Sequence, residues 1–168
     1  RNTLNEKLLQ ISHIIQEHVT QHIHIQTIKK AGSWAKGTLL NDAEELDIMV
    51  IVEPTGQIPF VLENEAVCNE IINAFIYANE VHKLSDVTRN VSRNSIVVKW
   101  NNITIHLFVR YTTGGYLATL DELQIQFTEL ANRDYTYFRN ALKIIQYYKE
   151  EQNIHISGYI SYFVLCTQ

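Results

Sequence analysis

Two carboxylates, Glu45 and Asp47, stand one residue apart at the entrance of the apolar run "LDIMVIV". In a strand, residues i and i+2 point to the same side, roughly 7 Å apart, so both acids would project together. Leu46, Ile48 and Val50 would then face the other way. Two acids so placed repel each other unless they are solvated or neutralised by a cation. Oxygen ligands at this spacing suit Mg²⁺, which takes one or two carboxylates and completes its shell with substrate phosphates. Upstream, Gly32-Ser33 forms a small-residue turn in which Gly32 admits a ligand close to the backbone and Ser33 offers a hydroxyl. A helical turn from Trp34 onward would aim free N–H groups at a phosphate. The plain alternative is a solvated strand entrance behind an ordinary turn.

The elements that must position these residues can be read from periodicity. Thr3 and Glu6 have capping-box spacing, and Leu4, Leu8, Ile11, Ile15 and Val19 recur with helical period, which predicts a helix over 3–20. A short strand is expected near 23–29. The β-branched run after Asp47 is a second strand, and "EPTGQIP" is a loop. Val67, Ile71, Phe75 and Ala78 predict a helix over 63–82, and "VTRNVSR", "SIVVKW" and "ITIHLFVRY" read as strands. Asn101-Asn102 between the last two is a hairpin turn. Helical pattern resumes over 119–130 and 134–151, and again in "GYISYFVLC". The expected fold class is α+β, a small mixed β-sheet flanked by helices and followed by the start of an α-helical domain. Residues 1–118 would carry the chemistry, and 119–168 would begin the helical part of a chain that continues further.

Composition narrows the function. The 168 residues suffice for one substantial core, and the formal charge of −4 argues against a dedicated nucleic-acid binder. No apolar run reaches the roughly 18 residues of a membrane span. Cys68 and Cys166 sit in apolar helical patterns without metal-ligand spacing, which predicts buried reduced thiols and a cytoplasmic setting. His22 and His24 alternate as on a polar strand face, and Arg89, Arg93 and Lys99 concentrate charge on predicted strands.

Gly-Ser, eleven intervening residues, then acid–apolar–acid–apolar resembles the signature of the nucleotidyltransferase superfamily, the DNA polymerase β-like fold. "GSWAKGT" followed by "EELDIMVIV" is most similar to the branch of cyclic GMP-AMP synthase, 2′-5′-oligoadenylate synthase, archaeal CCA-adding enzymes and bacterial cyclic-oligonucleotide synthases. "NALKIIQYYKEEQ" and "ISGYISYFVLCTQ" resemble the helical spine of that branch and the helix after it. The resemblance implies a nucleoside triphosphate substrate with Mg²⁺ or Mn²⁺, and transfer of a nucleotidyl group to a hydroxyl on RNA or on a second nucleotide. It implies metal binding by Glu45 and Asp47, phosphate contacts from Gly32, Ser33, Lys143 and Ser157, and base stacking on Tyr159. Gly158 stands where the branch usually has Ser.

One departure matters. The family's third carboxylate lies in an apolar–Asp–apolar pattern on the later hairpin strand, and here that place falls on His106. A histidine is a poor Mg²⁺ ligand, suits Mn²⁺ better, and can act as a general base near neutral pH. The resemblance therefore supports two outcomes: an active nucleotidyltransferase, or an impaired relative that binds a nucleotide or a protein partner.

Overall fold

The computed structural model describes residues 2–20, 22–40, 44–82, 84–112, 120–134 and 137–154. Ten elements follow in order: α1 (Asn2–His18), β1 (His24–Lys30), α2 (Gly32–Lys36), β2 (Glu45–Glu53), α3 (Phe60–His82), β3 (Leu84–Asn90), β4 (Ser95–Trp100), β5 (Ile103–Tyr111), α4 (Leu120–Asp134) and α5 (Phe138–Glu151). The strands form one mixed sheet in the order β1-β2-β5-β4-β3. Only β2 and β5 run parallel; the other neighbours are antiparallel.

One face of the sheet makes the core. Leu46, Ile48, Val50 and Val52 of β2 lie beside Ile105, Leu107 and Val109 of β5, and Ile96 and Val98 of β4 extend the layer. Ile11 and Ile15 of α1 and Ile71 and Phe75 of α3 cover it, all fully buried. Deleting such a side chain as Phe75 typically costs about 3–5 kcal/mol. The strict alternation in β2 and β5 leaves Glu45, Asp47, Thr104 and His106 on the opposite face, as their spacing predicts. Farther along that face Met49 and Ile51 are buried with Ala31 in a smaller cluster. The open part is thus confined to the beginning of β2. Two further helices lie on the α2 side, α4 packing on α2 and α5 on α4.

Local chemistry moves several boundaries. α1 begins at Asn2, so Thr3 lies inside the helix rather than at its cap. β3 stops at Asn90, because its Oδ1 accepts from the Ser92 hydroxyl (2.9 Å) and the Arg93 N–H (3.2 Å), turning the chain where a continuing strand was expected. Asn94 then takes φ 47° and leads into β4. Asn101 and Asn102 do form the two-residue loop, with Asn101 at φ 55°.

The basic residues of 89–99 have separate surroundings. Arg89 donates to the Asn90 and Ser95 carbonyls at 3.0 Å each and to Asn94 Oδ1 at 2.7 Å. It lies 3.6 Å from Glu65 and pins the β3–β4 hairpin to α3, while Arg93 and Lys99 are exposed. Cys68 is buried at the edge of this network, and Cys166 lies outside the described residues. Burial pushes the Cys68 thiol above its ordinary pKa, an effect that nearby Arg89 partly offsets. Among the described residues, no helix is long and apolar enough to cross a membrane.

Candidate functional site

α2 positions the turn. Ala31 is extended and its N–H donates to the Asp47 carbonyl at 2.9 Å, which ties the start of α2 to β2. Gly32 then adopts φ 51°, in the left-handed region that favours glycine. A Cβ on Gly32 would lie 1.9 Å from Asp47 Oδ2 and 2.8 Å from its Cγ. The Asp47 carboxylate therefore occupies the space that any side chain at position 32 would need. Ser33 follows in the first turn of α2, where N–H groups have no intrahelical acceptor. The helix is closed after one turn by Gly37 at φ 70°, and buried Thr38 returns to Ser33 through its N–H, 2.9 Å from the Ser33 carbonyl. Gly37 and Thr38 thus hold the turn in shape, a role that only the "GT" after "GSWAK" hints at in the sequence.

β2 and β5 supply the rest. Glu45 is exposed, Asp47 is half-buried, and the fully buried Leu46 separates them, so both carboxylates leave the sheet on one side. The parallel register sets His106 beside Asp47 and Thr104 beside Glu45. His106 Nε2 lies 3.9 Å from Glu45 Oε2, beyond hydrogen-bond distance, while its Nδ1 is buried with no hydrogen-bond partner. The imidazole stacks on Phe108, with centroids 6.3 Å apart and planes at 20°.

These donors can be tested against a divalent cation. Two carboxylates on one strand face give a hard oxygen set suited to Mg²⁺ or Mn²⁺. Among the described residues no three His, Cys, Asp or Glu side chains form a metal-holding group, so a cation here would draw its other ligands from water and phosphate. The residues fit a cation whose remaining ligands come from water or a bound phosphate.

Of the remaining residues singled out from the sequence, Lys143 is on α5 and lines a groove beside α1 and α2, together with Lys30, Trp34 and Arg139. Glu45, Asp47 and His106 do not line that groove. Arg139 rests on Gly37, its Nε 3.0 Å from where a Cβ would be, and nothing in the sequence pattern marks that contact. Ser157 and Tyr159 lie outside the described residues. His24 opens β1 and bonds Glu53 through Nδ1 at 3.0 Å, with His22 just ahead of the strand.

No protein-family model matches the chain, and no curated protein matches it in sequence. Solved structures match its fold. The CdnE c-di-GMP synthase from Capnocytophaga granulosa, described as STING-associated, superposes with a TM-score of 0.72 at 10% identity, covering 98% of this chain and 57% of that one. CdnC from E. coli MS115-1, in complex with HORMA-deltaN, gives 0.67 at 14% identity over 96% of this chain and 56% of that one. The Rhodothermus marinus CdnE c-UMP-AMP synthase, solved with Apcpp and Upnpp, gives 0.66 at 12% identity over 96% and 68%. The chain thus spans little more than half the length of the first two. Its fold is the one these three structures share, which is the α+β nucleotidyltransferase fold that the resemblance implied.

Proposed function

We propose that this protein is a metal-dependent nucleotidyltransferase that takes a nucleoside triphosphate and transfers its nucleotidyl group to a hydroxyl, with a second nucleotide as the favoured acceptor over an RNA end. The observation that carries the reading is the contact between Gly32 and Asp47: a left-handed glycine turn lies directly against one of two carboxylates on the open sheet face. The fold shared with cyclic dinucleotide synthases supports the same class of reaction.

In this reading Glu45 and Asp47 hold Mg²⁺ or Mn²⁺, and the Gly32-Ser33 turn receives the terminal phosphates through backbone N–H groups and the Ser33 hydroxyl. A bound cation supplies charge neutralisation on the phosphates and a lowered pKa at the attacking hydroxyl. The hydroxyl oxygen bonds to the α-phosphorus, the bond to the β-phosphate oxygen breaks, and pyrophosphate leaves. His106, beside Asp47, takes the hydroxyl proton through Nε2, the ring nitrogen on the side of Glu45. Lys143 of α5 keeps the triphosphate contact that the resemblance gives it, beside Gly32, Ser33, Glu45, Asp47 and His106. Ser157 and Tyr159 keep the phosphate and base contacts that the resemblance gives them. Residues 1–118 form the catalytic part and 119–168 open a helical domain.

His106 favours one specific second reading: a fold that binds nucleotide and has lost transfer. Incubation with labelled ATP, GTP, CTP and UTP, in Mg²⁺ and in Mn²⁺, beside a Glu45→Ala/Asp47→Ala variant separates the two. Product that vanishes in the variant supports the enzyme. Absence of product together with nucleotide-dependent thermal stabilisation supports the binding module.

A further inference from the structure

We propose that His22 and His24, at the entrance of β1, bind a divalent transition cation of the imidazole-preferring class, Zn²⁺ or Ni²⁺, with Glu53 as the residue that positions His24. The two histidines line one recess of about 330 Å³ together with Glu53, Pro54, Thr55 and Gln57. They alternate in the sequence as on a strand, but β1 begins at His24, and His22 stands in the turn ahead of it. That turn is held by the Ile23 N–H, which donates to the Thr20 carbonyl at 3.1 Å. Both imidazoles are exposed at the recess, so a cation can reach them from solvent.

The tautomer of His24 suits it to this role. His24 lies opposite Glu53 in the β1–β2 register, and its Nδ1 is 3.0 Å from Glu53 Oε2. The hydrogen bond from His24, with a second from Gln26, holds the Glu53 carboxyl below the usual carboxylate range. An ionised carboxylate only accepts, so the ring proton sits on Nδ1 and the lone pair of Nε2 is left for a metal. A histidine that binds metal through one nitrogen usually donates from the other to a carboxylate, which orients the ring and raises its basicity. Here that carboxylate is already in place. Gln26 is the extra residue where the register slips between Ile25 and Thr27, a bulge of the kind that re-aims side chains near a strand end.

The donor atoms set the class of cation. Imidazole nitrogens suit Zn²⁺ and Ni²⁺, whereas Mg²⁺ demands oxygen. Among the described residues no three His, Cys, Asp or Glu side chains form a metal-holding group, so water completes the shell around the two imidazoles. A cation bound there ties the turn ahead of β1 to the end of β2. Glu45 and Glu53 stand at opposite ends of the nine-residue β2, about 26 Å apart, which separates this site from the Glu45–Asp47 centre.

The site does not rest on the reading of the catalytic centre, and the experiment keeps them apart. Zn²⁺, Ni²⁺ and Mg²⁺ are titrated by calorimetry into the untagged, metal-stripped chain and into its Glu45→Gln/Asp47→Asn variant. In that variant Zn²⁺ and Ni²⁺ should still bind saturably and raise Tm, while Mg²⁺ does neither. His22→Gln, His24→Gln and Glu53→Ala, each made in the same background, should weaken Zn²⁺ binding about tenfold or more. His22 is an exposed turn residue, so its replacement spares the bond between His24 and Glu53. Glu53→Gln, whose amide oxygen still accepts from Nδ1, should keep most of the affinity, and nitrogen NMR of the imidazoles should show His24 metallated at Nε2. Four results would overturn the proposal: no saturable Zn²⁺ or Ni²⁺ binding; binding lost in the Glu45→Gln/Asp47→Asn variant; binding that survives either histidine substitution at full strength; or Mg²⁺ bound in that variant as tightly as Zn²⁺. Metal on Nδ1 of His24, or unchanged affinity in Glu53→Ala, would overturn the role of Glu53.

Discussion

Replacing Gly32 by alanine tests how the turn and the carboxylate depend on each other. The new Cβ would stand 1.9 Å from Asp47 Oδ2, where ordinary contact begins at about 3.4 Å, so the oxygen must retreat by about 1.5 Å. The side chain cannot escape by moving its tip alone, since Asp47 Cγ and Cβ would lie only 2.8 and 3.0 Å away. Asp47 has to leave its rotamer, or the turn has to unwind. Misplacement by about 1 Å in a reacting assembly can cost roughly 10²-fold in rate, so nucleotidyl transfer should fall at least that far. The left-handed φ of 51° adds about 1–2 kcal/mol of destabilisation for a residue with a Cβ. In a chain of this size that corresponds to a fall of roughly 2–8 °C in Tm. Transfer is measured with labelled triphosphate in Mn²⁺, and stability by thermal denaturation of the same preparation. A Gly32→Ala protein with wild-type Tm and transfer within about threefold of wild type would refute the reasoning, because the collision would then have no consequence.

Other perturbations address the neighbouring features. His106→Asp should raise Mg²⁺-supported transfer above that of the native protein, since it adds an oxygen ligand beside Asp47 while keeping a proton acceptor there; an unchanged or lower rate in Mg²⁺ would contradict this. Glu63 is buried and accepts a hydrogen bond from the Thr55 N–H, which holds its carboxyl below the usual carboxylate range. A lowered folded pKa contributes stability above the unfolded value and loses it as pH falls through the folded one. Glu63→Gln should therefore lower Tm at pH 7, with the gap closing in acid below the ordinary carboxylate range, and a gap independent of pH would contradict this. Cys68, buried with its thiol pKa raised, should resist alkylation at neutral pH in the native protein and react on denaturation, as read by mass spectrometry of its peptide.

Periodicity made the central strands readable. The alternation in "ELDIMVIV" and "ITIHLFVRY" separates a wholly apolar side from a side bearing Glu45, Asp47 and His106, and burial on the apolar side leaves only one register. The parallel pairing that sets His106 beside Asp47 is a non-local fact, because α3, β3 and β4 intervene between the two strands. Glycine at position 32 could be read as a turn, but its dependence on Asp47 arises from a contact fifteen residues later in the chain. Asn90 and Asn94 ended one strand and led into the next through side-chain hydrogen bonds that no hydrophobic pattern encodes. Lys143 shows the same limit. Its helix was evident from spacing, yet the groove it lines is made by α1, β1 and α2, and its neighbours Lys30 and Trp34 come from the other end of the sequence.

The most direct test of the central claim is a crystal structure with Mn²⁺ and a non-hydrolysable nucleoside triphosphate, read by the anomalous signal of the metal. The account predicts a manganese peak within about 2.1–2.2 Å of carboxylate oxygens of both Glu45 and Asp47, with the triphosphate lying on the Gly32-Ser33 turn. Manganese and triphosphate bound away from these two carboxylates, or a nucleotide bound without any metal between them, would contradict it.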